Sequence, residues 1–142
     1  MHHIPGISIC GPLLCSLIIE GAEVIKIERL NKGDDTRGWG PPWTLDNSKD
    51  IGVKTSTYFA STNRNKKSIT IDISKQRGQE LVTQLAMKSD ILVENYKVHD
   101  LKRYRLDYKS LSQFHPGLIY CSITGYGQEG PSNYMLLYVS NL

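Results

Sequence analysis

SITIDISKQRGQELVTQLAMKSDILVE, residues Ser68–Glu94, carries three different periods in one stretch. Ile69, Ile71 and Ile73 alternate with polar residues, so Ser68–Ile73 reads as a β-strand with one apolar face. From Gln76 to Lys88 the apolar residues Leu81, Val82, Leu85 and Ala86 fall at helical spacing, which predicts an amphipathic helix. Asp90–Glu94 (DILVE) is a short apolar run of buried-strand type. Outward from this unit the alternation continues. Ala22–Glu28 (AEVIKIE), entered through Gly21, is β-branched at Val24, Ile25 and Ile27 and reads as a strand. Tyr104–Phe114 holds a helical segment ended by His115-Pro116-Gly117, and Leu118–Thr124 (LIYCSIT) is a further strand. Upstream, Gly11-Pro12 opens an apolar segment, Leu13–Ile19, long enough for two helical turns. Between Arg29 and Val53 runs a long polar loop with turns at Gly33, Gly38, Gly40 and Pro41-Pro42. A loop of that length inside a compact domain is usually functional or inserted.

Strands and helices in alternation, joined by short links, predict an α/β fold with a parallel sheet and helices packed on its faces. Ligands on such sheets collect at the carboxyl ends of the strands. Arg29, Ser74, Asn95, Tyr96, Gly125 and Tyr126 all sit at such ends, and their convergence marks a candidate site. Arg103 and Lys97 add cations to the same rim. A guanidinium leaving a strand end, as Arg29 does, is placed to fork onto a phosphate.

Composition bounds the partners. The 142 residues carry 17 Lys and Arg against 14 Asp and Glu, a formal balance of +3. That suits a phosphate-bearing ligand and is too mild to argue for nucleic acid. Cys10, Cys15 and Cys121 match no disulfide or zinc pattern, so buried reduced thiols in a reducing compartment are expected. His2, His3, His99 and His115 show neither ligand spacing nor a triad, and no metal is expected. Ile4–Ile19 is uncharged, but Pro5, Gly6, Gly11 and Pro12 break it. It reads as a strand end and helix, not as a signal peptide or membrane span.

Three motifs compete for attention. Gly125–Gly130 (GYGQEG) fits the G-x-G-x-x-G dinucleotide fingerprint and follows a strand, but it comes late and Pro131 follows it, so a glycine-rich turn is the better reading. Asn63–Lys67 (NRNKK) is either a solvated loop or a phosphate- or subunit-facing one. Glu94 ends a buried strand, where a structural hydrogen-bonding role outweighs that of a catalytic base. Ser61, Ser68 and Ser122 lack a nucleophile elbow.

With these motifs in view, the chain resembles the family III CoA-transferases, the group that contains formyl-CoA transferase and carnitine CoA-transferase. The resembling blocks are GAEVIKIER (Gly21–Arg29), GDDTRGWGPP (Gly33–Pro42), YFASTNRNKKSITIDI (Tyr58–Ile73), DILVENY (Asp90–Tyr96) and PGLIYCSITGYGQEGP (Pro116–Pro131), in the family's order and spacing. The resemblance implies a partial Rossmann-like CoA-binding domain over residues 1–131, with helices on both faces of the sheet, and a divergent tail over 132–142. It implies transfer of CoA from an acyl-CoA to a carboxylic acid through an aspartyl intermediate, which is nucleophilic catalysis. CoA is then substrate rather than resident cofactor. NRNKKSI and IYCSITGYGQ resemble the members that use succinyl-CoA and a dicarboxylate such as glutarate, and these imply a homodimer in the mitochondrial matrix, with the cytoplasm as the alternative. Carried over by position, the CoA-contacting residues are Arg29, Ile71, Asp72, Ile73, Ser74, Asn95, Tyr96, Lys97 and Arg103.

Departures from the family pattern set further expectations. Pro5-Gly6 should interrupt the first strand, Met1–Cys10. The helix between Gly11 and Gly21 is one residue short. Arg105 stands where the family's R-x-G-L turn has glycine. The nucleophilic aspartate is expected some tens of residues beyond Pro131. No residue here is therefore assigned to catalysis, and the chain is expected to be an incomplete gene product or splice form, inactive alone.

Overall fold

The computed structural model describes residues 5–8, 21–44 and 54–133, the first four as backbone. Five strands, β1 (Pro5–Ser8), β2 (Glu23–Glu28), β3 (Lys67–Thr70), β4 (Ile91–Glu94) and β5 (Ile119–Ser122), form one sheet in the order β3-β2-β1-β4-β5. Every pairing is parallel. Because the strand order reverses direction at β1, the doubly wound topology puts its switch point between β1 and β4, where ligands of such sheets bind. Among the described residues no helix is long and apolar enough to cross a membrane.

Strand alternation divides the side chains between two faces. On the first, Ile27 and Leu92 join Ile71, Val82, Ala86, Leu101, Leu106, Leu111 and Leu118 in one buried cluster. Helix α2 (Gln76–Ala86), the 3-10 helix Asp100–Tyr104 and helix α3 (Tyr108–Leu111) supply its cover. On the second face, Val24 and Val93 pack with Ile91, Cys121 and Ile123. There the cover is helix α1 (Thr57–Thr62) with the loop after β2: the Phe59 ring lies 4.6 Å from Lys26 Nζ, and Asn63 Oδ1 accepts from the same nitrogen at 2.8 Å. Helices therefore flank both faces, as the alternation predicts.

Several expectations shift in detail. β3 ends at Thr70, yet Ile71 N still donates to Glu28 O at 3.1 Å before the chain leaves the sheet. It leaves there because Asp72 forms an Asx turn, its Oδ1 accepting from Ser74 N at 2.9 Å and Ser74 Oγ at 2.6 Å. The segment Tyr104–Phe114 is not one helix: Arg105 takes φ 57° and separates the 3-10 helix from α3. Pro5 and Gly6 do not interrupt β1. Gly6 pairs with both Val24 and Ile91, and Pro5 stands first in the strand, where a missing N–H is tolerated. The predicted helix Leu13–Ile19 and the tail beyond Asn133 lie outside the described residues.

Candidate functional site

The carboxyl ends of β2, β3 and β4 open onto one rim, and Arg29 leaves β2 directly onto it. Its guanidinium is half-exposed and pairs with Asp35, Nη2 to Oδ2 at 2.5 Å. From the end of β4, Tyr96 turns inward. Burial raises the pKa of its phenol, and the Arg29 charge partly offsets that rise. Tyr104 and Asp100, at the 3-10 helix that follows β4, act on the same hydroxyl. Arg103 stacks on Tyr104, 4.7 Å from its ring centre, and faces Asp100 at 3.9 Å. Asn95 and Lys97 flank Tyr96 and are exposed.

At the β3 end, Ile71 is buried in the apolar cluster. Ile73 packs against that cluster from the side. Asp72 and Ser74 make the turn already described, and the two hydrogen bonds from Ser74 hold the solvated Asp72 carboxyl below its ordinary pKa. Gly78 fixes how closely α2 approaches this turn: a Cβ there would lie 2.0 Å from Asp72 O. The sequence-derived residues thus fall into two groups. Arg29 follows β2 and Asn95, Tyr96, Lys97 and Arg103 follow β4, while Asp72, Ile73 and Ser74 form a separate shoulder against α2.

Sequence reasoning missed the network beneath Arg29. Glu28 is buried, and its carboxylate accepts from Arg37 Nε (3.0 Å) and Nη2 (2.9 Å), Ser68 Oγ (2.8 Å) and Asp34 N (2.9 Å). Burial alone would raise its pKa, but the bonds from Arg37 and Ser68 and the Lys26 charge outweigh burial and hold it below the ordinary value. Lys26, also buried, pairs with Asp34, whose carboxyl is likewise lowered against its own burial by Lys26 and Thr36. Asp34 caps the 3-10 helix Asp35–Gly38 by accepting from Thr36 N at 2.8 Å. Arg37 stacks 4.0 Å from the Phe59 ring centre. The signal available in the sequence was complementary charge: Lys26 and Glu28 on one strand face, Asp34 and Arg37 in the following loop.

The competing motifs resolve as follows. Glu94 is buried and its Oε2 accepts from Tyr96 N at 2.7 Å, the structural role. In the basic turn, Asn63 Nδ2 donates to Phe59 O at 2.9 Å, Lys66 to Thr62 O at 2.6 Å and Lys67 to Glu23 at 2.6 Å, so these side chains hold α1 and the β2–β3 edge. Residues 125–133 form bends and turns with Gly127 and Gly130 at positive φ, and no helix opens behind the GYGQEG stretch. The helix N-terminus that would hold a pyrophosphate is missing there among the described residues. No group of three or more His, Cys, Asp or Glu among the described residues could hold a metal.

Comparison with known proteins agrees with this topology. The sequence matches the profile of CoA-transferase family III over residues 6–138. It is 50% identical over 114 residues to a mouse protein named succinyl-CoA:glutarate CoA-transferase, covering 80% of this chain and 24% of that protein. It is 44% identical over 124 residues to a succinate–glutarate CoA-transferase of Agrobacterium fabrum, covering 87% of this chain and 30% of that protein. Among solved structures, a CAIB/BAIF family protein from Brucella suis superposes with a TM-score of 0.81 at 40% identity, over 95% of this chain and 36% of that one. The chain thus spans between about a quarter and a third of the length of these relatives. With the fold, the profile and the relatives in agreement, the chain belongs to CoA-transferase family III.

Proposed function

We propose that this chain supplies the CoA-binding rim of a CoA-transferase that moves CoA from succinyl-CoA to a dicarboxylate such as glutarate. The observation that supports the reading is that Arg29 follows β2 while Tyr96, Lys97 and Arg103 follow β4, the two strands that flank β1 at the carboxyl edge of the parallel sheet. Cations and half-buried aromatic groups at that place match the phosphates and adenine of a nucleotide thioester. Arg29 and Arg103 take the phosphates. The turn Ile71–Ser74 and the segment Asn95–Lys97 cradle the nucleotide and pantetheine. In the whole enzyme an aspartate attacks the thioester carbonyl, forms an acyl anhydride and releases CoA thiolate. No described residue is assigned that role. The names of the mouse and bacterial relatives support the donor and acceptor, and a homodimer in the mitochondrial matrix completes the proposal.

Calorimetric titration with CoA, dephospho-CoA and NAD tests the site. CoA is expected to bind, dephospho-CoA more weakly, and NAD not at all. Equal affinity for CoA and dephospho-CoA would remove the phosphate assignment. Preference for NAD would favour a nucleotide-dependent oxidoreductase instead. Co-purification with a full-length family subunit, without any CoA binding, would favour a subunit-pairing role.

A further inference from the structure

One carboxylate, Asp35, bridges two cations at the rim. Its Oδ2 meets Arg29 Nη2 at 2.5 Å and its Oδ1 meets Lys32 Nζ at 2.9 Å. Each oxygen of one anion takes one cation, the arrangement that two oxygens of a phosphate would also make. We infer that Arg29 and Lys32 form a two-cation seat for a single phosphate of the ligand, and that Asp35 is its resident competitor, displaced when that phosphate arrives. The inference deepens the CoA-binding reading and rests on it for the identity of the ligand.

The backbone, not Asp35, spaces the two cations. Gly33 N donates to Arg29 O at 2.9 Å and Lys32 N to Leu30 O at 2.8 Å, closing a tight turn in which Asn31 and Gly33 both take positive φ. Beneath it, Asp34 is tied to the buried Lys26, and Glu28 accepts from Asp34 N at 2.9 Å. The turn therefore stays in place when the Asp35 side chain swings away. All three side chains are more than half exposed, 55% for Arg29, 67% for Lys32 and 53% for Asp35, so solvent and ligand can reach the carboxylate. Charge favours exchange: two cations against one carboxylate leave a net positive seat, better matched by a phosphate dianion. The pair itself is weakly held, as exposed ion pairs are, which makes the gate shallow. Lys32 was not among the residues that the sequence brought to the rim.

The test is calorimetry with CoA on the whole chain and three variants: Asp35→Asn, Arg29→Ala and the double variant. Asp35→Asn is expected to bind about two- to fivefold more tightly than wild type, the range that loss of its two weak, exposed ion pairs permits. That gain should vanish when Arg29 is Ala. Weaker or unchanged binding by Asp35→Asn would mean that Asp35 orients Arg29 or is a bystander, and would overturn the inference. A gain that persists without Arg29 would reduce it to general charge and overturn it equally. Should wild type bind no CoA, the functional reading fails separately, and the seat is judged by phosphorus NMR with inorganic phosphate. Phosphate line broadening by Asp35→Asn, dependent on both Arg29 and Lys32, upholds the seat; its absence contradicts it.

Discussion

The two faces of the sheet are covered by different chemistry. On one, Ile27 and Leu92 disappear under α2 and its neighbours in an apolar cluster. On the other, the same strand β2 presents Lys26 and Glu28, both buried, and the cover meets them with Asp34, Arg37, Asn63 and Phe59. An apolar face packs anything of the right shape, whereas a face of fixed charges accepts one partner in one register. The charged face therefore positions the Gly33–Pro42 loop, and with it Asp35 beside Arg29, more narrowly than hydrophobic packing would. Such networks add little net stability but are costly to break from one side.

The largest effects separate the two faces. Glu28→Ala strips the acceptor from four hydrogen bonds and is expected to cost about 3–5 kcal/mol, as one-sided loss of a buried ionic partner does. Leu92→Ala opens a cavity on the apolar face at a cost of roughly 2–5 kcal/mol. Their pH dependence distinguishes them. Glu28 and Asp34 have folded pKa values below their unfolded ones, so their stabilisation is complete above pH values of about 4–5 and drains away as pH falls through the folded values. Denaturation midpoints from pH 7 to pH 3 should show the Glu28→Ala deficit shrinking and the Leu92→Ala deficit staying level. Parallel curves for the two variants would mean that the charged face contributes no carboxylate linkage.

A middling effect sharpens the comparison on the apolar side. Ala is the better helix former by about 1 kcal/mol, yet Gly78→Ala in α2 is expected to cost about 1–3 kcal/mol. The new Cβ would run into the Asp72 carbonyl, which belongs to the fixed turn. A raised urea midpoint for this variant would show that α2 can slide off the turn. The smallest effect has the opposite sign. Arg105 holds φ 57° between the 3-10 helix and α3, a conformation that disfavours residues with a Cβ. Arg105→Gly should stabilise the chain by about 0.5–1 kcal/mol, with the flexibility of glycine offsetting part of the relief. An unchanged or lower midpoint would contradict it.

These contrasts also explain what the sequence could reveal. The parallel sheet was legible because Leu81, Val82 and Leu85 keep helical period between two apolar strands. The strand ends were legible because they can be counted, and Arg29, Tyr96 and Arg103 come after them. The ionic face was not: Lys26 and Glu28 alternate with Ile25 and Ile27, which is also the pattern of a strand with one side in water. Only the distant Arg37, Asn63 and Ser68 reveal that this side is covered. The break at Arg105 escaped too, since nothing in RYRL announces a left-handed residue except the family's glycine at that place. Lys66 looked like a free loop charge because a cap on the Thr62 carbonyl depends on three-dimensional closure of α1.

The central claim is that a cation fixed at a strand end, rather than general positive charge, holds CoA. It is tested most directly by comparing Arg29→Ala with Arg64→Ala, an exposed cation of the basic turn, in calorimetric titrations with CoA. Arg29→Ala is expected to lose about 1.5–3 kcal/mol, tenfold or more in affinity, and Arg64→Ala about 0–1 kcal/mol. Equal losses would make Arg29 one charge among many and contradict the account.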